Sequence, residues 1–230
     1  MSFGQNLQFL RKMRNKMTQE ELADRMGVSR QTVSKWELDA AYPEMSKVLE
    51  LCQLFSCSMD QLIREDMNVI DEAYSDIREE WVEAFRYLRY AVISREPEDD
   101  AKNHVRLWAD QLGIRDPQII GWDFPMLSQE QINVFHMHGY TAALILPEGC
   151  NVFDPQAEVC TNPKQKYLAI TIRNPFEAPF RLIPNAYKTI LTYMQTNSIS
   201  GAYGKGLIDC FEKEYSMDGV PYMDVYIAID

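Results

Sequence analysis

A short polar stretch near the N-terminus carries side chains that can hydrogen-bond to nucleic-acid bases and phosphates. It lies in a predicted helix over residues 30–37, whose polar members are Arg30, Gln31, Thr32, Ser34 and Lys35. Glutamine can form two hydrogen bonds with adenine, and arginine or lysine can read guanine or bind a phosphate. Val33 and Trp36 are apolar and are expected to turn inward. The spacing therefore predicts a helix with one polar face that is available to a polyanion.

Local signals define the helices that must position this face. Thr18 and Glu21 have the spacing of a capping box, which starts a helix that Gly27 ends. Ser29 caps the next helix. Ala23 must be small because the two helices cross there, and Gly27 permits a left-handed backbone. Together with further short apolar repeats, these signals predict five helices in residues 1–66.

The segment TQEELADRMGVSRQTVSKWE resembles the helix-turn-helix of Cro/cI-type (XRE family) repressors, and the resemblance extends over residues 5–65. It implies an all-α DNA-binding domain at 1–66 that places the N-terminal end of its recognition helix in the major groove of an operator. It also implies DNA-binding roles for Gln19, as a phosphate contact, and for Ser29, in addition to the polar residues of 30–37. A homodimer on a two-fold site is expected because one such domain buries little interface. The alternative is a helical protein-binding domain with a solvated polar face.

The distribution of charge supports a polyanion partner although the whole chain has a net charge of −11. Residues 1–36 hold seven lysines and arginines against three acids, which leaves +4, and the remaining residues carry −15. A basic N-terminal segment on an otherwise acidic chain is typical of a protein that binds nucleic acid through that segment. Five cysteines without a CxxC pair, no long apolar run and no secretory signal predict a cytoplasmic protein without a membrane span.

The C-terminal region differs from residues 1–66 in its pattern of predicted secondary structure. Residues 67–81, with an apolar stripe of Tyr74, Ile77 and Trp81, predict either a linker helix or a dimer contact. Residues 82–230 then show strand–helix–strand–strand twice, which predicts an α+β domain with duplicated βαββ units. The first helix of this region is expected to start at Pro97 and to stop at Gly113.

This region resembles the GyrI-like (AraC-type effector-binding, or SOUL-type) domains. The resemblance rests on the order of IGWDFP, GYTAALILPEG, IPNAYKTILTYMQ and a closing CFEKEY and DVYIAI. It implies a curved sheet with a groove that binds small aromatic or cationic molecules, with Glu212 as the charged partner. The family has Glu-x-Tyr where this chain has Glu212-Lys213-Glu214-Tyr215, so Glu214 is the alternative. The aromatic candidates beside it are Trp122, Tyr140, Tyr167, Tyr187 and Tyr226.

Three functions remain open for the C-terminal region. The first is a small-molecule sensor that biases DNA binding, since a buried carboxylate among aromatic rings favours a cation. The second is a hydrolase with Glu212 as general base, but a lone carboxylate without a second acid or a histidine partner favours binding, so the sequence predicts no enzyme. The third is a protein-interaction module. In the alternative to a ligand site, the aromatic residues are simply core and Glu212 is exposed. His136 and His138 share a strand face without a third ligand, so the sequence predicts no metal and no cofactor.

Overall fold

The computed structural model describes residues 2–67, 72–124, 126–152 and 158–230. The chain forms two compact units. The helical unit contains Met1–Tyr74 and Phe180–Ser200, and the sheet unit contains Ser75–Pro179 and Gly201–Asp230.

The helical unit begins with the five predicted helices, which are confirmed. They are α1 (Phe3–Met13), α2 (Gln19–Met26), α3 (Arg30–Glu37), α4 (Met45–Phe55) and α5 (Met59–Ile63). Thr18 and Glu21 form the predicted capping box of α2, and Gly27 ends that helix with φ of 64°. Apolar side chains on the inner faces of these helices, led by Leu7, Leu10, Leu22, Val33 and Leu51, are fully buried in one core.

A buried asparagine ties the first helix to the end of the fifth. The side-chain amide of Asn6 donates to the carbonyl oxygens of Gln61, Leu62 and Glu65, and its oxygen accepts the backbone N–H of Met67 at 3.2 Å. Asn6 is fully buried, so these bonds satisfy a polar side chain that water does not reach.

Gly4 marks the place where α1 crosses the end of α3. A Cβ atom at Gly4 would lie 2.5 Å from the carbonyl oxygen of Trp36 and 2.6 Å from that of Glu37. Both contacts are with backbone, which cannot rotate away. The helical unit therefore depends on glycine at this position for the close approach of α1 to the end of α3.

Gly4→Ala is expected to lower the free energy of unfolding by about 1–3 kcal/mol, because overpacking outweighs the gain in helix propensity. Urea unfolding followed by circular dichroism measures this change. Gly204→Ala is the matched control, since a Cβ there meets only Leu207 Cβ at 3.9 Å. A stabilised Gly4→Ala protein would contradict the expected clash.

The sheet unit is built on one antiparallel eight-stranded sheet with the order β1-β6-β8-β7-β3-β4-β2-β5. The strands are β1 (Arg78–Val82), β2 (Phe85–Ser94), β3 (Gln118–Asp123), β4 (His138–Ile145), β5 (Val159–Asn162), β6 (Gln165–Arg173), β7 (Cys210–Met217) and β8 (Val220–Ile229). Two helices accompany them in the chain, α6 (Pro97–Gln111) after β2 and α7 (Gln129–Asn133) after β3. A 3₁₀ turn at Pro175–Glu177 follows β6.

The predicted duplication is confirmed by the order of the strands. The first repeat places its strands as β2-β4-β3, and the second places its strands as β6-β8-β7. The two repeats join where β3 pairs with β7, at Ile120 with Lys213 and at Gly121 with Glu212. The same two faces of the sheet are therefore continued across both repeats.

The predicted linker helix over 67–81 is wrong in its last residues. Residues 78–81 belong to β1, which pairs with the edge of β6 from Arg78 opposite Ala169 to Val82 opposite Gln165. The apolar stripe suggested a helical period, but Trp81 is 61% exposed and pairing with β6 decides the local structure. The sheet therefore starts before the predicted boundary at 82. Residues 68–71 of this segment lie outside the described residues.

The helix of the second repeat, α8 (Pro179–Asn197), belongs with the helical unit instead of the sheet unit in which it was predicted. The Arg14 guanidinium donates to the Thr196 carbonyl at 2.5 Å, and the Asn197 amide donates to the Met13 carbonyl at 2.8 Å. The Lys188 ammonium donates to the Asp66 carbonyl at 3.1 Å. These bonds attach α8 to α1 and to the segment that follows α5. None of the helices among the described residues is long and apolar enough to cross a membrane.

Candidate nucleic-acid interface and small-molecule cleft

The outer face of α3 presents the polar side chains that the sequence singled out. Arg30, Gln31 and Lys35 are exposed, while Thr32 and Ser34 are half-buried. Val33 and Trp36 are buried on the opposite face, which fixes the rotation of the helix about its axis. The arrangement offers three long polar side chains and the N-terminal end of a helix on one surface.

Ser29 begins α3 as predicted. Its hydroxyl oxygen accepts the backbone N–H of Thr32 at 3.1 Å and lies 2.9 Å from the Thr32 hydroxyl. Both hydroxyl groups therefore serve the helix cap, and the remaining N–H groups of the first turn stay available to a phosphate. The predicted DNA contacts of Ser29 and Thr32 remain predictions.

A buried ion pair behind this surface connects the first three helices. The Glu37 carboxylate accepts from Arg11 Nε at 2.6 Å and from Arg11 Nη2 at 3.1 Å. It also accepts from the Gln19 side-chain amide at 2.8 Å. The Arg11 and Glu37 side chains are only 9% and 1% exposed. Sequence reasoning missed this network because Arg11 is one of seven basic residues in 1–36, and nothing in the sequence shows that it is buried.

The network changes two sequence-based expectations. Arg11 is neutralised by Glu37, so it adds nothing to the positive surface. The Gln19 side-chain amide donates to Glu37. Its predicted role as a phosphate contact stays a prediction. The exposed positive charge of this surface comes instead from residues such as Arg30 and Lys35.

The sheet unit contains a cleft of about 250 Å³ along α6, β3 and β7. Its charged lining residues are Lys102, Arg106, Glu212 and Glu214, and hydroxyl groups come from Tyr140, Tyr215, Ser216 and Tyr222. Glu212 and Glu214 both line it because β7 is a regular strand, in which alternate residues share a face. No bulge separates the two, so both carboxylates line the cleft, and the role of either one in binding a ligand stays a prediction.

A glycine on β3 allows a tyrosine to reach Glu212. A Cβ at Gly121 would lie 2.1 Å from the Tyr140 hydroxyl oxygen, so only glycine leaves room for this ring. The Tyr140 hydroxyl donates to Glu212 Oε2 at 3.3 Å, and Tyr140 and Glu212 are only 4% and 9% exposed. The carboxylate of Glu212 is thus a buried acceptor beside an aromatic ring, as the resemblance implied.

Lys102 is a further charged residue of the cleft that sequence reasoning missed. Its ammonium group contacts Glu214 and lies 2.5 Å from Glu98 Oε1. It also lies 5.6 Å from the centre of the Tyr140 ring. Burial alone would lower the pKa of Lys102, but the adjacent Glu214 and Glu98 outweigh it and raise the pKa, which keeps the lysine charged. The i,i+4 spacing of Glu98 and Lys102 was the available signal.

The structure does not bring Trp122, Tyr167 and Tyr226 together with Glu212. These side chains belong to the core cluster on the opposite face of the sheet, where Tyr226 stacks on Phe211 at 4.5 Å. Their placement follows from the period of two along each strand, which the sequence could not fix between strands. Tyr187 lies half-buried on α8, in the helical unit. Tyr140 is the predicted aromatic residue that lines the cleft.

The two histidines of the predicted strand face are separated by the start of that strand. His138 is the first residue of β4, whereas His136 precedes it with φ of 51°. Within the part of the chain that the structure describes, no group of three histidine, cysteine or acidic residues is placed to hold a metal ion.

Comparison with known sequences gives a family match to part of the helical unit. The family described as Helix-turn-helix matches residues 7–62. The HTH-type transcriptional activator BcrR of Enterococcus faecalis is 34% identical over 88 residues, which cover 38% of this chain and 42% of BcrR. The HTH-type transcriptional regulator YqaE of Bacillus subtilis is 29% identical over 66 residues, 29% of this chain and 56% of YqaE. The chain thus spans about half the length of these relatives.

Comparison with solved structures gives matches of low sequence identity. EcmrR in a cryo-EM structure of an EcmrR–DNA complex is 8% identical, with a TM-score of 0.48 over 93% of this chain and 85% of that chain. SAV2435 bound to tetraphenylphosphonium is 10% identical, with a TM-score of 0.40 over 68% of this chain and 94% of that chain. The family match and the five packed helices agree in their bounds, and residues 7–62 of this chain are a helix-turn-helix domain.

Proposed function

We propose that this chain is a cytoplasmic transcriptional regulator that binds a specific DNA operator as a homodimer and responds to a small molecule. The exposed face of α3 carries the proposal, because Arg30, Gln31 and Lys35 project from a helix whose other face is buried in the core. The names of BcrR and YqaE, both HTH-type transcriptional regulators, support it.

The chemistry of DNA recognition follows from this surface. An α-helix fits the major groove, where Gln31 can bond to adenine and Arg30 to guanine through paired hydrogen bonds. Lys35 is further along the helix and is suited to a phosphate contact. The free N–H groups at the start of α3 favour a second phosphate.

The test is selection of bound sequences from a random double-stranded DNA pool by the full chain. We expect recovered sequences to share two inverted half-sites, about one or two helical turns apart, as a two-fold dimer requires. Size-exclusion chromatography with light scattering of the complex gives the stoichiometry. A folded protein that enriches no sequence at moderate salt would sink the DNA-binding proposal.

For the small molecule we propose the cleft that contains Glu212. Its buried carboxylate and the Tyr140 ring are suited to binding a ligand that carries a positively charged group. Hydrolysis is the less favoured function, because the neighbouring carboxylate of Glu214 is bound by Lys102 and is not free to act as a second acid. Turnover of an electrophilic ester that is lost in Glu212→Gln would reverse this preference.

Glu212→Gln is expected to abolish the effect of a cleft ligand on operator affinity and to leave ligand-free operator affinity unchanged. A thermal-shift screen of small aromatic amines and zwitterions supplies the ligand, and fluorescence anisotropy with the selected operator measures the effect. Glu83→Gln is the matched control, since Glu83 is an exposed carboxylate of the sheet unit that pairs with Lys164. An undiminished response in Glu212→Gln would place the ligand elsewhere.

A further inference from the structure

The cleft already contains a cation of its own. Lys102 is 8% exposed, and its ammonium group lies among two carboxylates, Glu98 and Glu214, and the Tyr140 ring. Carboxylates beside an aromatic face are the groups with which a protein binds an organic cation. In this chain a lysine side chain makes those contacts.

A lysine in this place competes with any simple cationic ligand. It is attached to α6, so its local concentration at Glu214 exceeds that of a dissolved ligand under ordinary conditions. Displacing it would leave a largely buried ammonium group without its partners, which is strongly unfavourable. The cleft therefore disfavours a ligand whose only polar feature is one positive charge.

Arg106 adds a second positive charge one helical turn further along α6. It lines the same cleft, and its guanidinium donates to the neutral amide oxygen of Asn103 at 3.1 Å. Among the described residues it forms no ion pair. Its position at an exposed stretch of α6 makes it available to an anionic group on a ligand.

The charges that line the cleft are thus mixed. Lys102 and Arg106 are positive, and Glu212 and Glu214 are negative, so their formal charges cancel. Ile119, Pro117 and Phe176 supply apolar surface beside them. A ligand that matches this lining carries a positive and a negative group on a small apolar body.

We propose that the cleft binds a zwitterionic small molecule and that Lys102 is the residue that excludes simple organic cations. The anionic group of the ligand contacts Arg106, and its cationic nitrogen lies near Glu212 and Tyr140. This inference rests on the proposed function only in taking the cleft as the ligand site.

Two probes of the same shape test, in the full chain, whether the cleft prefers a zwitterion to a simple cation. Benzyltrimethylammonium is a permanent cation, and benzyldimethylamine N-oxide replaces one methyl group by a negatively charged oxygen, which makes it a net-neutral zwitterion at pH 7.5. We expect isothermal titration calorimetry to show that the wild-type chain binds the N-oxide about 10-fold or more tightly than the cation, as one charge-assisted hydrogen bond allows. Equal affinities, or a preference for the cation, would overturn the proposal.

Substitutions on α6 then assign the effect to its residues. Lys102→Met is expected to raise the affinity for benzyltrimethylammonium about 10-fold or more, because Glu214 and Tyr140 lose their internal cation. Arg106→Met is expected to weaken the N-oxide and not the cation. Lys164→Met is the matched control, since Lys164 also pairs with a carboxylate, Glu83, and lies 5.9 Å from an aromatic ring centre, that of Trp81, outside the cleft.

The outcomes separate this proposal from the proposed function. A folded Lys102→Met protein without gained cation affinity overturns the role of Lys102. If Lys102→Met does not fold, Lys102→Arg is the second variant. It keeps the positive charge and is expected to keep the preference for the N-oxide. Loss of that preference would contradict the proposal. DNA selection uses neither probe. A failure to bind DNA therefore does not contradict the preference of the cleft for a zwitterion. Equal affinities for the two probes likewise do not contradict DNA binding.

Discussion

Replacing Arg30 and Gln31 together by alanine is expected to lower the affinity for the selected operator by about 100-fold or more, since each paired contact with a base contributes roughly 1–3 kcal/mol. Fluorescence anisotropy at one fixed salt concentration measures the change. Affinity for DNA of random sequence is expected to change much less, because phosphate contacts elsewhere on the domain remain.

This result can be separated from a loss of folding. Arg30 and Gln31 are both exposed, so their replacement is expected to change the free energy of unfolding by no more than about 0.5 kcal/mol. Arg64→Ala is the matched control, because Arg64 is also an exposed basic residue of the helical unit and does not belong to α3. Equal losses of affinity in Arg64→Ala and in the double variant would show that charge, and not base recognition, is being measured.

Glu37→Ala is expected to lower the free energy of unfolding of the helical unit by about 3–5 kcal/mol, because it leaves the buried Arg11 guanidinium without its counter-charge. It also removes the acceptor of the Gln19 amide. Urea unfolding gives the free energy, and amide hydrogen exchange in α1, α2 and α3 assigns the loss to this unit.

Two further variants test whether burial is the cause. Glu50→Ala removes a carboxylate from the exposed pair of Glu50 with Lys47 and is expected to cost less than about 1 kcal/mol. The double variant Arg11→Met, Glu37→Met is expected to recover much of the stability that Glu37→Ala loses, since an apolar pair needs no counter-charge. A double variant as unstable as Glu37→Ala alone would contradict this explanation.

The helix-turn-helix domain was predictable because its signals are local. The capping box at Thr18, the left-handed Gly27 and the apolar positions Val33 and Trp36 each act within a few residues of the chain. The duplicated βαββ plan was predictable for the same reason, since strand and helix periods are read within short windows. The exposed face of α3 then followed from the spacing alone.

The cleft could not be predicted from short stretches of sequence, because its residues come from segments that lie far apart in the chain. The pairing of Gly121 with Glu212 sets which residues of β3 and β7 share a face, and it joins positions that are far apart in sequence. A one-residue shift of register would move Tyr140 or Glu212 to the other face. Lys102 and the Arg11 network were missed for the same reason, because long charged side chains are usually exposed and only tertiary contacts show that these two are buried.

The place of α8 has a consequence for how this chain can be divided or recombined. A fragment that stops at residue 74 would lack the α8 side chains that bond to the backbone of Met13 and Ser56. A fragment that starts at residue 75 would keep α8 but not α1, which supplies Arg14 as the donor to Thr196. A single genetic crossover between the halves therefore cannot exchange the DNA-binding part intact. The helix of the second repeat would have to be inherited together with the first five helices.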